Sequence, residues 1–217
     1  TKNSKSGDKE AIFHRDVAAK LVEMFSEGTP ARLGDWTDEE WVSVRDAQLI
    51  SSKPVLYVCN VDEDGLAAED ALVALVREKA LSEGSGCVVI CGQVEAEISE
   101  LDAEDKVEFL ADLGLSEPGL HRLARATYSL LGLKTYFTAG PKEIRAWTYR
   151  DGWLAPQCAG VIHSDFERGF ICAETISFAD YKNLGGEQAA KVAGRMRQEG
   201  SEYAIQEGDV ILYRFNV

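Results

Sequence analysis

From Asp8 to Glu27 the apolar residues Phe13, Val17, Leu21 and Met24/Phe25 recur at helical spacing between charged neighbours, which predicts an amphipathic helix. Gly28-Thr29-Pro30 stops it. Thr37, with Glu40 three positions on, has the signature of a capping box and opens a second helix presenting Trp41, Val44 and Leu49. The two helices, about ten residues apart, read as a helical hairpin or its stub. After Ser51-Ser52 the periodicity changes. Pro54–Cys59 is a short apolar run, Ala68–Leu81 is helical, and Cys87–Cys91 is a second apolar run. Unbroken runs of this length predict strands buried on both faces. Strand, helix and strand in this order predict a parallel βαβ unit. Leu101–Leu113 and Pro118–Leu131 read as two further helices, the second with Pro in its first turn.

Beyond Leu133 strands dominate. Thr135–Thr138 and Glu143–Tyr149 flank the turn Ala139-Gly140-Pro141, and Arg150-Asp151-Gly152 is another turn signal. Pro156–Phe166 reads as a helix, Phe170–Phe178 as a strand and Glu187–Gln198 as a short helix. Tyr203–Gln206 and Val210–Asn216 read as strands joined by Glu207-Gly208-Asp209. Hairpin, helix, strand, short helix and hairpin is the element order of a β-grasp, ubiquitin-like domain. The fold class is therefore α/β followed by α+β.

Charge sharpens the division. The 217 residues carry a formal net charge of −14, but residues 1–133 hold 13 basic and 26 acidic groups, whereas 134–217 hold 10 and 11. The first part repels a phosphate backbone and the last part permits one, which places a boundary near Leu133. No stretch approaches the ~20 apolar residues of a membrane span. The polar opening Thr1–Glu10 has no apolar signal-peptide core, and a start without Met suits a piece of a longer protein. Cys59, Cys87, Cys91, Cys158 and Cys172 are an odd number without a C-x-x-C pair, which points to a reducing, cytoplasmic setting without disulfides or a zinc site.

The chemistry concentrates after the two apolar runs. In parallel α/β sheets ligands bind at the carboxyl ends of strands. Asn60-Val61-Asp62-Glu63 follows the first run, and Cys91-Gly92-Gln93 the second, with Asn60 and Cys91 31 residues apart. GTPases place Asn-Lys-x-Asp and Ser-Ala-Lys at these points to read guanine, the Asp accepting both of its N–H donors. Here Val61 replaces the Lys and Glu63 the Asp. A longer carboxylate cannot keep the same bidentate geometry, and adenine presents a ring acceptor where guanine presents a donor, so the base preference shifts toward adenine. No G-x-x-x-x-G-K-[ST] phosphate loop occurs in the 217 residues. Asp62-Glu63-Asp64-Gly65 matches D-x-x-G only by overlap with the base tetrad. His14, His121 and His163 suggest no catalysis; His163, before Ser164-Asp165, reads as a helix cap.

The chain resembles the carboxyl-terminal half of the Obg-like ATPase family of the YchF type. The resemblance is carried by Lys53-Pro54-Val55-Leu56-Tyr57-Val58-Cys59-Asn60-Val61-Asp62-Glu63, by Tyr136 to Thr148 through Ala139-Gly140-Pro141-Lys142, by Ala155 to Phe170, and by Gly208-Asp209-Val210 with the ending Arg214-Phe215-Asn216-Val217. It implies three parts. Residues 1–50 are a polar tail and the returning part of a helical coiled-coil insertion. Residues 51–133 are the last part of a P-loop nucleotide-binding domain with linking helices, and 134–217 form a TGS domain. It implies an ATP-preferring nucleoside triphosphate hydrolase that uses Mg, associates with ribosomes or ribosomal RNA through the TGS domain, and touches neither membrane nor specific DNA sequences. Asn60, Val61, Glu63, Cys91, Gly92 and Gln93 carry over as base-binding residues. No catalytic or metal residue carries over, and this stretch alone is expected to be inactive and to hold no nucleotide tightly. Lys142, Arg145, Arg150, Arg168 and Lys182, beside turns of the expected sheet, are the partner-binding candidates. A different class, a non-enzymatic RNA- or ribosome-docking adaptor, fits the same residues. A ubiquitin-like modifier does not, because Phe215-Asn216-Val217 ends the chain inside an apolar strand rather than on a flexible Gly-Gly.

Overall fold

The computed structural model describes residues 8–67, 70–140 and 143–216. They divide into two compact units at Ala126/Thr127.

In the first unit, α1 (Lys9–Ser26) starts where the Asp8 carboxylate accepts the N–H groups of Glu10 and Ala11. α2 (Asp38–Asp46) begins with the expected capping box: the Thr37 hydroxyl accepts the Glu40 N–H at 3.2 Å and Glu40 accepts the Thr37 N–H at 2.9 Å. Val17, Leu21, Ala31 and Val44 are the buried centre of this pair, with Phe13, Trp36, Trp41 and Leu49 packed around it. Leu49 lies past the end of α2 and still reaches that core.

β1 (Leu56–Asn60), α3 (Glu63–Ala67), α4 (Ala71–Ser82) and β2 (Gly86–Ile90) follow. The strands are parallel, with Leu56 opposite Gly86 and Asn60 opposite Ile90. The expected helix start at Ala68 lies outside the described residues. Burial on both faces is not found: Val58 is 45% exposed. α4 packs on both strands, but among the described residues this sheet has two strands, so β1 keeps an open side.

Past β2 the chain turns directly into a helix. Cys91 caps a helix, α5 (Gly92–Glu100), so Gly92 and Gln93 form its first turn. Val94 and Ile98, four positions apart, turn it into an apolar cluster with Cys91 and Leu110. α6 (Ala103–Asp112) and α7 (Gly119–Leu130) match the two expected helices within two residues at each end.

The second unit contains β3 (Leu133–Ala139), β4 (Ile144–Arg150), α8 (Ala155–Ile162), α9 (Ser164–Arg168), β5 (Phe170–Ile176), α10 (Phe178–Leu184), α11 (Glu187–Val192), β6 (Arg197–Glu199) and β7 (Val210–Phe215). The sheet order is β4-β3-β7-β5-β6, with β3 and β7 parallel and the other pairs antiparallel. Small residues on α8, namely Ala155, Cys158 and Ala159, are fully buried and let the helix lie close to the sheet. There the Tyr136 hydroxyl donates to the Cys158 carbonyl and the Tyr149 hydroxyl to the Ile205 carbonyl, each at 2.9 Å. Burial pushes both phenols well above their usual range and the Cys158 thiol up to about 12, so none of the three ionises near neutrality. Gly169 joins α9 to β5 because a Cβ there would meet the Asn216 backbone.

Four expectations change in this unit. The helix expected over Pro156–Phe166 breaks at His163, whose Nδ1 accepts the Asp165 N–H at 3.2 Å and caps α9. Phe178 leaves β5 and opens α10, because the Ser177 hydroxyl accepts the Asp180 N–H and starts a helix. The helix expected over Glu187–Gln198 stops at Val192, and its last residues form edge strand β6. Tyr203–Gln206 is no strand partner of β7: Ala155 N–H donates to the Tyr203 carbonyl and Ile205 N–H to that of Trp153. The buried Asp209 carboxylate, accepting from the Tyr203 hydroxyl and the Gln206 N–H, holds that segment as a loop.

Candidate functional site

The two strand ends form one site. Asn60 and Ile90 are register partners, and the Val61 N–H donates to the Ile90 carbonyl at 2.9 Å, carrying the ladder one residue past β1. The Asn60 Oδ1 then accepts the Gly92 N–H at 3.0 Å. That bond ties the two segments together and fixes the amide, whose Nδ2 is left to donate toward a ring acceptor such as a purine N7. A Cβ on residue 92 would stand 3.4 Å from Oδ1. Val61 is half-buried, and the Asp62 carboxylate accepts the Gly65 N–H at 2.9 Å. Glu63, first in α3, is exposed. Cys91 is buried, whereas Gln93 is exposed and donates to Glu97 at 3.1 Å. Asn60, Glu63 and Gly92 are thus exposed, whereas Val61 is half-buried and Cys91 packs with Val94, Ile98 and Leu110.

A clamp behind this site has no counterpart among the sequence expectations. Glu95, one helical turn after Gly92, is 8% exposed, and its carboxylate accepts the N–H groups of Gly119 at 2.6 Å and Leu120 at 3.2 Å, the first turn of α7. Arg122 donates to the Val89 carbonyl at 3.1 Å. α7 is therefore held to α5 and to β2 within four residues. The available signal is the four-residue spacing of Val94 and Ile98, which marks a helix and places Glu95 in its first turn.

A family model described as YchF-GTPase_C, a protein of unknown function (DUF933), matches residues 133–216. "Ribosome-binding ATPase YchF" of Bacillus subtilis (strain 168) is 50% identical over 219 residues, covering 100% of this chain and 60% of the relative. "Obg-like ATPase 1" of Rattus norvegicus is 36% identical, covering 98% of this chain and 54% of that protein. The YchF GTPase of Schizosaccharomyces pombe superposes with a TM-score of 0.79 at 29% identity, over 92% of this chain and 53% of that one. Over its full length the chain is similar to the carboxyl-terminal part of YchF-type Obg-like ATPases. It matches the family's carboxyl-terminal part and spans about 60% or less of these relatives' length.

Among the described residues the basic candidates do not converge on one patch. Lys142 lies outside the described residues. Arg145 stacks on Trp147 at 4.1 Å and stands 3.7 Å from Glu143. Arg150, five positions along β4, projects from the opposite face of the sheet. Arg168 pairs with Asp165, which holds that carboxyl below its usual range. Lys182 is exposed in the last turn of α10. Among the described residues no group of three or more His, Cys, Asp or Glu side chains is placed to hold a metal, and no helix is long and apolar enough to cross a membrane.

The helical pair is fastened to the βαβ unit by a network around Glu83. Its carboxylate accepts from Lys79 at 2.8 Å, Arg32 at 2.7 Å and the Tyr57 hydroxyl at 2.9 Å, and its side chain is 5% exposed. These donors, Lys79 first, pull its pKa from 4.5 to about 2. A depressed carboxyl pKa stabilises the fold fully above the unfolded value and loses that contribution as pH falls toward the folded one. Amide protection in β1 and α4 is therefore expected to drop between pH 4.5 and about 2 in the wild type. In Glu83→Gln it should start lower and vary less, and equal pH profiles in the two proteins would exclude Glu83 as the sensor.

Proposed function

We propose that this chain supplies the base-reading edge and the partner-binding domain of a ribosome-associated nucleoside triphosphate hydrolase that takes ATP at least as readily as GTP. The observation that carries the reading is the Asn60–Gly92 bond, which joins two strand-end segments into one edge with a donor at Asn60 and an acceptor at Glu63. Residues 51–133 act as the last part of a P-loop domain, residues 1–50 as part of its helical insertion, and residues 134–217 as a TGS domain of β-grasp type. The order β4-β3-β7-β5-β6 around a parallel central pair supports the last assignment. The residues present fit a purine base; among the described residues no group of His, Cys, Asp or Glu side chains is placed to hold Mg, and the sequence has no G-x-x-x-x-G-K-[ST] loop to cradle a triphosphate. We assign those groups to a part of the family protein that this chain does not span, and the setting to the cytoplasm.

The site is tested by titrating the isotope-labelled chain with ATP and GTP. Millimolar, adenine-tolerant shifts confined to Asn60, Glu63 and Gly92, without hydrolysis, are expected. Micromolar binding, or shifts that avoid this edge, would refute the assignment.

Ribosome association is assigned to the second unit, where the charge is nearly balanced. "Ribosome-binding" is how the Bacillus subtilis relative is described. Co-sedimentation is expected to weaken as salt rises, because each neutralised phosphate releases condensed counterions. Arg145→Glu with Arg150→Glu should weaken it further at fixed salt. Equal pelleting of both proteins at both salts would move the contact to the helical pair. Pelleting without any nucleotide response at the strand ends would favour the docking-adaptor reading.

A further inference from the structure

Cys59 on β1 and Cys87 on β2 are half-buried, and their Sγ atoms lie 3.8 Å apart. Tyr57 is the register partner of Cys87, and Val89 that of Cys59. All four side chains therefore share one face of the parallel pair, and the two thiols are diagonal neighbours. They are 28 residues apart in the chain, so strand pairing alone brings them together and no C-x-x-C spacing signals them. A lateral step of ~4.8 Å and two residues of rise, ~6.6 Å, put the two Cα atoms about 8 Å apart. A disulfide needs them within ~7 Å, so the thiols meet without being placed to form one while the register holds. Tyr57 does not compete for this position, because its hydroxyl donates to Glu83 at 2.9 Å. Cys87 also borders a cavity of about 470 Å³, with Leu66, Val73 and Leu115 as apolar wall.

We propose that Cys59 and Cys87 form a two-thiolate site for a soft divalent cation of the zinc and cadmium class. Three features select that class. Two metal–sulfur bonds of ~2.3 Å at a tetrahedral angle span about 3.8 Å, which is the separation of the two thiols. Thiolates take soft ions, whereas Mg and Ca take oxygen ligands. Two thiolates and a divalent ion sum to zero charge, so the half-buried site is neutral when filled; a monovalent ion would leave a negative charge there. On binding, each S–H bond gives way to a sulfur–metal bond and two protons leave to solvent. Among the described residues no third His, Cys, Asp or Glu joins the pair. The remaining tetrahedral positions therefore go to water or to a small ligand entering by the cavity that Cys87 borders. The site precedes the strand ends, uses none of the residues of the base edge, and does not depend on that assignment.

Cd²⁺ alone is the probe, added to the reduced chain in buffer free of thiols. One ion per chain is expected, with a new ultraviolet thiolate-to-metal band. Cys59 and Cys87 should become protected together from iodoacetamide, read by peptide mass spectrometry, while the buried Cys91, Cys158 and Cys172 keep their rates. Zn²⁺ should compete for the site, and a large excess of Mg²⁺ should not. Cys59→Ser and Cys87→Ser should each weaken binding ~100-fold or more, since losing even a group that only supports a metal ligand costs ~10–100-fold. The Val61 N–H, which carries the ladder to Ile90 past β1, should exchange more slowly with the ion bound, because the ion cross-links the two strands. Full-strength binding in either serine variant, displacement by Mg²⁺, or alkylation of Cys59 and Cys87 unaltered by Cd²⁺ would each overturn the proposal. So would a Cys59–Cys87 disulfide forming readily in the folded chain under dilute peroxide, which would show that the strand register does not hold the thiols at this spacing. The protection readout uses the wild type, so the test stands even if a serine variant unfolds.

Discussion

Glu63→Asp combined with Val61→Lys is expected to move an intact family protein carrying this edge from ATP toward GTP, by about 1–3 kcal/mol or roughly 10- to 200-fold. The Asn60 amide is fixed by its bond to Gly92, so on the proposed reading a purine held by that amide from its five-membered ring side would present its other edge to residue 63. A Glu at that position reaches one methylene further than Asp and cannot accept both guanine N–H donors without displacing the base. Shortening it restores the pair of acceptors. The lysine introduced in place of Val61 adds a stem that can lie along the base plane, since Val61 is only half-buried. The backbone N–H at that position, already used in the ladder to Ile90, is unaffected by the side chain. Titration with fluorescent analogues of both nucleotides measures the ratio in each protein. A wild type that strongly prefers GTP, or a double variant with an unchanged ratio, would remove Glu63 from base reading.

How much of this is legible in the sequence follows from the range of the interactions. The Thr37–Glu40 box spans three residues and involves only its own helix, so the sequence displays it whole. The parallel pair is legible because two apolar runs with a helix between them admit few topologies. The alignment of Asn60 with the segment after Ile90 follows from that topology alone. The clamp is not legible, because Glu95 finds its partners 24 and 25 residues on. The misplaced terminal hairpin has the same origin. Tyr203–Gln206 before Gly208 has the local pattern of a hairpin arm, and its actual partners, Trp153 to Ala155, lie about fifty residues earlier. Val58 is exposed within an apolar run because such a run records what a strand can bury, not how many neighbours cover it.

Glu95→Ala is expected to cost about 3 kcal/mol, the larger stability loss among the changes considered. Its carboxylate accepts two N–H groups at the start of α7, and hydrogen bonds to a charged group contribute about 1.5–3 kcal/mol when a partner is lost. Gly119 is buried, so water cannot replace the lost acceptor without entering the packing. Glu95→Gln keeps the shape but recovers little, because its amide offers one acceptor and turns a donor toward the second N–H. Gly119→Ala attacks the clamp from the other side: its Cβ would stand 2.7 Å from Glu95 Oε1 and displace the carboxylate. The two variants together should therefore cost less than their sum, as residues sharing one interaction do. Urea unfolding gives the three energies, and amide exchange gives the location. Protection of the Gly92 N–H should fall along with that of Gly119 and Leu120, because α5 carries both Gly92 and Glu95. A loss under about 0.5 kcal/mol, the range of an ordinary surface change, or an unchanged Gly92 amide would show that the base edge is held without the clamp.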